Sequence, residues 1–222
     1  MLGLKLRRMW YARKVAGTAL QKAWNTPTPP GGTDWRDVSF LVCDAEMSSL
    51  DVTEGELLSL GWVCIEHGAV VLESARHYLL KARNSVGQSA TIHQLRDCEL
   101  EEGISEPELL QLFLSAAAGR ILVFHNAALD TSFLSQLSYR EFGAPLLMPT
   151  ADTLLLEQAK LRRNDAPVMP GDLRLQACRE RYNLPNYPAH NALIDALATA
   201  ELLQAQARHR SGGERFALRN FL

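Results

Sequence analysis

Val38-Ser39-Phe40-Leu41-Val42-Cys43-Asp44-Ala45-Glu46 is the stretch on which the fold turns. The run from Val38 to Cys43 is continuously apolar apart from one serine, which suits a central strand buried on both faces. It ends directly in two carboxylates. In extended backbone, side chains at i and i+2 project to the same face, so Asp44 and Glu46 can enter one pocket and share a cation. Taken alone, an acidic strand end is also an ordinary solvated surface.

The neighbouring sequence builds a sheet around this strand. Leu57 to Glu66 reads as a second strand, His67-Gly68 as a turn and Ala69 to Leu80 as a third strand, an antiparallel meander. Glu106 to Ala118 reads as a helix, with Pro107 in its first turn and Gly119 at its end. Arg120 to Phe124 is a fourth strand. Helices are expected over Asp130–Phe142, Asp152–Arg163 and Leu173–Tyr182. A polar loop is expected over 164–171, and a final helix, capped by Asn191, reaching about His209. Strands followed by alternating helix and strand imply a mixed α/β sheet with helices on both faces.

Outside this core, residues 1–24 read as one helix with Leu2, Leu6, Met9, Ala16 and Leu20 on one side. Pro27, Pro29, Pro30, Gly31 and Gly32 then mark a boundary. The expected organisation is a basic helical appendage and linker at 1–33, a catalytic domain at 34–210 and a tail at 211–222 released by Gly212-Gly213. The chain has 222 residues and a formal charge of −2, but residues 1–33 carry +6 with no acid, which leaves −8 for the rest. An acidic body is unusual for a protein that grips a polyanion over a wide face, unless some carboxylates are metal ligands. Cys43, Cys64, Cys98 and Cys178 form no CxxC pair, which argues against zinc and for reduced thiols in the cytoplasm. No stretch is apolar enough for a membrane span, and the N-terminus lacks the apolar core of a secretory signal.

Two further clusters carry chemistry. In Val123-Phe124-His125-Asn126-Ala127-Ala128-Leu129-Asp130 a strand runs into a turn and a helix, where an aspartate could equally serve as an N-cap. In His190-Asn191-Ala192-Leu193-Ile194-Asp195 an acid stands among apolar helical residues, which is unfavourable to bury unless it is paired or metal-bound. His190 precedes that helix in a loop, where it is either a surface imidazole or a group free to reach a pocket.

Together, Asp44-x-Glu46, His125-Asn126-Ala127-x-x-Asp130 and His190-x4-Asp195 resemble, in order, the motifs of the histidine-containing DEDD 3′→5′ exonucleases, the family that includes the proofreading subunit of bacterial replicative polymerase. The resemblance covers roughly residues 38–205, and Ile92-His93 is similar to the family's Ile-His segment. It implies a ribonuclease-H-like fold with a mixed five-stranded sheet and two Mg²⁺ or Mn²⁺ ions. Asp44, Glu46, Asp130 and Asp195 would be the ligands, and His190 the general base. The substrate implied is nucleic acid with a free 3′ end, single-stranded, DNA in preference to RNA. Ala45, Met47, Ser48, His125, Asn126 and Leu129 would contact it. The family usually has Thr-Thr-Gly after the first motif; here Met47-Ser48-Ser49 keeps two hydroxyls and adds an apolar side chain. Leu129 stands where the family often has Phe, an apolar wall without a stacking face. The alternatives are an inactive exonuclease fold used as a binding module, and a protein partner docking through residues 1–24.

Overall fold

The computed structural model describes residues 2–81, 100–163 and 167–222. The Ile92-His93 segment, Cys98 and part of the loop expected at 164–171 lie outside the described residues.

The strands β1 (Phe40–Met47), β2 (Leu57–Glu66), β3 (Ala69–Leu79), β4 (Ile121–Phe124) and β5 (Thr150–Asp152) form one sheet in the order β3-β2-β1-β4-β5. The β1–β2 and β2–β3 pairs are antiparallel, while β1–β4 and β4–β5 are parallel. The expected mixed five-stranded sheet is therefore present. β5 is only three residues long, too short to show a period, and Asp152, expected in a helix, ends this strand.

Alternation along β1 divides the core in two. Leu41, Cys43 and Ala45 face a layer that includes α2 (Ala19–Asn25), α3 (Glu106–Ala117) and α4 (Ala127–Phe142). Phe40 and Val42 face the other layer, which includes α7 (Ala192–Ser211). Asp44 and Glu46 continue the second set, so the period of two directs both carboxylates to the α7 side. The remaining helices are α1 (Leu2–Tyr11), α5 (Thr153–Arg163) and α6 (Leu175–Glu180).

Both ends of the chain differ from expectation. The single helix over 1–24 is two helices, because Gly17 takes a left-handed conformation (φ +80°) and Thr18 caps α2 anew. Leu20 joins the core, whereas Leu6 and Met9 are 61% and 72% exposed. The appendage is bound to the domain: Trp24 Nε1 donates to Leu146 O at 2.8 Å. Residues 211–222 are not a free tail. Trp35 N donates to Phe216 O at 2.9 Å, and Leu218 and Phe221 are buried against the α7-side core. Burial of those two apolar side chains opposes the freedom that the two glycines allow.

Candidate active site

The site forms where β1 outruns its parallel partner. β1 pairs with β4 only through Phe40–Val42, so beyond Val42 the side of β1 facing β4 is open. Asp130 stands at this opening, where the nearby backbone N–H of Ala45 favours its ionised carboxylate. Asp130 lies in the first turn of α4 and is 4% exposed. The helix begins at Ala127, three residues before the expected start, so Asp130 does not cap it. Asp152 supplies the cap instead. Its carboxylate accepts from the backbone N–H groups of Asn126, Ala127, Leu154 and Leu155 and ties the start of α4 to the end of β5.

Asp195 arrives from the other layer. Oxygen atoms of Asp44, Glu46 and Asp195 lie within 4.8 Å of one another. Gly61 makes this approach feasible. It pairs with Asp44 across β1–β2, and a Cβ there would stand 2.3 Å from Leu193 N and 2.4 Å from Ala192 C. The first turn of α7 therefore rests on bare backbone, beside Asp44. A glycine inside an apolar strand is the sequence signal for such close approach, and it went unread.

The electrostatics are those of crowded like charges. Burial, then the neighbouring Asp130, Asp195 and Glu46, hold the Asp44 carboxyl well above the usual range. Burial and Asp195 push Glu46 up to about 7. Burial pushes Asp130 up to about 8, against the opposing pull of two backbone N–H groups. Asp195 is raised as well, by burial, although the His190 N–H opposes the shift. No ion pair reaches any of these four among the described residues. An all-oxygen donor set with uncompensated charge fits a hard divalent cation.

His190 is exposed at the rim, with left-handed backbone (φ +68°), and its N–H donates to Asp195 Oδ2 at 2.8 Å. Its loop is braced from behind. Arg179 donates to Pro185 O and Glu201 Oε2, each at 2.8 Å, and Tyr187 OH donates to Glu201 Oε1 at 2.9 Å. The sequence reading missed this bracing, because no local pattern pairs residue 179 with 201.

The expected substrate contacts divide. Ala45 is buried, while Met47 and Leu129 are half-buried against the core beside the carboxylates. Ser48 Oγ accepts from Glu56 N at 2.9 Å. Asn126 is exposed, with φ +72°. His125 points elsewhere. Its Nδ1 lies 2.8 Å from Thr153 Oγ1 and its Nε2 lies 2.8 Å from Leu173 O, so both ring nitrogens are engaged within the protein. Burial lowers its pKa.

Clustered carboxylates at the C-terminal edge of a mixed sheet, walled by helices of both layers, form a group that could hold a metal ion. The exonuclease family (RNase_T) matches residues 41–203, and the chain belongs to it. It is 30% identical over 167 residues to the DNA polymerase III PolC-type of Thermotoga maritima, covering 75% of this chain but 12% of that protein. To the DNA polymerase III epsilon subunit of Treponema pallidum it is 26% identical over 179 residues, covering 78% of this chain and 79% of the subunit. E. coli exonuclease I in complex with single-stranded DNA shares the fold (TM-score 0.65, 16% identity, 79% of this chain and 41% of that one). This chain thus spans a small part of the PolC-type relatives and most of the epsilon subunit.

Proposed function

We propose that this chain removes nucleotides stepwise from the 3′ end of single-stranded nucleic acid, DNA in preference to RNA, releasing nucleoside monophosphates. The carrying observation is the convergence of Asp44, Glu46 and Asp195 within 4.8 Å, with buried Asp130 coupled to them electrostatically. Asp44, Glu46, Asp130 and Asp195 would hold two Mg²⁺ or Mn²⁺ ions, which stabilise charge on the attacking and leaving oxygens of an in-line displacement. Asp44 would be the ligand nearest the centre of the group, since each of the other three acts on its carboxyl. His190 takes the proton from the attacking water, as an exposed imidazole at the rim whose backbone N–H is bonded to Asp195. The Arg179–Glu201–Tyr187 bracket positions its loop. Met47, Leu129 and the Ala45 backbone wall the terminal nucleotide, and Ser48 and Asn126 offer polar groups to its sugar. His125 is a positioning residue rather than a contact.

The catalytic unit of this reading is the expected 34–210 span with both terminal segments packed on it. The free thiols of Cys43, Cys64 and Cys178 accord with a cytoplasmic setting. Residues 1–24 expose Leu6, Met9 and Trp10, which suits a protein partner.

The test is hydrolysis of 5′-labelled single-stranded DNA, duplex DNA and RNA with Mg²⁺, Mn²⁺ or EDTA. Metal-dependent laddering from the 3′ end is expected. His190→Ala should lower kcat by about 10²–10⁴-fold and leave KM and metal affinity much less changed. Full activity in that variant would remove His190 as the base. No cleavage with either metal would overturn the reading in favour of an inactive binding module.

A further inference from the structure

Arg7 and Arg8 are adjacent in sequence but differ in what they do. Arg8 is fully committed: Nε and one terminal nitrogen donate to Leu147 O at 3.0 and 2.8 Å, and the other donates to Trp24 O at 2.9 Å. These bonds fasten α1 across the segment that leads into β5. Arg7 is exposed, with no ion pair or hydrogen bond to another described residue. It lines a groove of about 520 Å³ along α4, together with Ala127, Ala128, Leu146 and Met148. Asp130 lies on the same helix, within a turn of Ala128.

We infer that this groove carries the nucleic-acid strand upstream of the 3′ end, with Arg7 gripping a backbone phosphate. The inference rests on the exonuclease reading for its direction, and goes beyond it by assigning a binding track to a segment outside the family-matched residues. Three observations carry it. The groove is continuous with the start of the helix that bears Asp130. Its walls are mixed, as a sugar–base strand requires: Leu4, Met148 and Leu155 contribute apolar surface beside hydroxyl side chains, and Leu155 is 56% exposed. Its one carboxylate, Asp152, is occupied by four backbone N–H groups. The hydroxyls of Thr131 and Ser132 donate to Ala127 O and Ala128 O and offer a phosphate no donor. Arg7 is the cationic side chain on the described lining and so the group that meets a phosphate charge, and the +6 charge of residues 1–33 favours a polyanion over a cationic or neutral occupant.

The experiment measures anisotropy of 5′-labelled oligothymidylates of four, eight and twelve nucleotides on the full chain, carrying Asp44→Asn to stop cleavage, in Mn²⁺ at several salt concentrations. Affinity should rise with length. Arg7→Glu should remove most of that rise. Arg7→Ala should lower the log–log salt slope for the longest strand by about one. Ser132→Glu, which places a carboxylate on the groove wall without touching α1, should also flatten the length dependence. Retention of the full length gain in both glutamate variants overturns the assignment. So does wild-type-like affinity that is flat with length, which would leave the groove to a protein partner. Absence of cleavage by the unmodified chain, with length-dependent binding intact, would overturn the exonuclease reading and leave the track standing.

Discussion

Two charged clusters lie along α7, and they are built on opposite terms. At its start, Asp195 meets Asp44 and Glu46, with Asp130 acting on Asp44 from the other layer, and no ion pair relieves any of the four among the described residues. Further along, Arg179 has a side chain that is 0% exposed, yet it is matched to Glu201 at 2.8 Å and to the Ala198 and Pro185 carbonyls. Glu157, also 0% exposed, accepts from Tyr182 OH at 2.8 Å and Gln206 Nε2 at 3.2 Å, with Lys160 and Arg181 nearby at 3.7 Å. Burial of charge is common to both regions and by itself marks neither. What distinguishes the site is the missing compensation. In the second region each buried charge has an opposite charge at 2.8–3.7 Å, although Arg179 Nε and Glu157 Oε1 lack hydrogen bonds among the described residues; the first needs positive charge from outside.

The largest test of this contrast is Asp44→Asn. Turnover should fall on the order of 10³-fold or more, since a carboxylate of the proposed metal site is lost. The metal-free protein should melt higher than wild type, because one repelling carboxylate is gone. Kinetics in Mn²⁺ and thermal melts in EDTA check both outcomes. A marked drop in melting temperature would place Asp44 among the structural charges instead.

Arg179→Met should behave in the opposite way. It leaves Glu201 Oε2 and two carbonyls without their donor and should destabilise by about 3 kcal/mol, as breaking a buried ion pair does. For a chain of this size that is roughly 6–12 °C in Tm. Its effect on turnover should be indirect, through the loop that carries His190. Urea unfolding with and without Mn²⁺ measures it, and an unchanged midpoint would break the comparison.

The smallest effect concerns pH. Folding raises the carboxyl pKa of Glu46 to about 7 and of Asp130 to about 8. The stability they contribute is fully present below their unfolded values near pH 4 and is lost as pH rises through about 7 and 8. Metal-free protein should therefore lose a few degrees of Tm between about pH 5 and 9, and Mn²⁺ should restore most of it at the alkaline end. Asp44→Asn should flatten the slope, whereas Glu201→Gln should leave it in place. A metal-free profile that rises over this range would contradict the crowded-carboxylate picture.

Much of this was legible beforehand because the signals are local. A six-residue apolar run, a His-Gly turn and an Asn cap each act within a few residues. The β1–β2–β3 meander and the start of α7 accordingly lie where they were expected. Asp44 and Glu46 were placed together by a period of two. Other features had no local signal. Three residues of β5 are too few to show a pattern, so Asp152 was assigned to a helix and its role in capping α4 was missed. Gly17 divides a helix whose apolar spacing favours continuity. Leu218 and Phe221 lie beyond two glycines that would otherwise free them.

The sequence by itself determined the central strand, the starts of α3 and α7 and the pairing of Asp44 with Glu46, since propensity, capping and alternation operate over a few bonds. Only the tertiary structure decided which other groups meet them. The bare backbone of Gly61 admits α7 to within reach of Asp44, the Ala45 N–H favours the ionised carboxylate of Asp130 from the opposite layer, and Arg179 braces the loop of His190. These contacts join positions tens of residues apart. Their strength depends on burial and on the absence or presence of a neighbouring charge, which no short stretch of sequence contains.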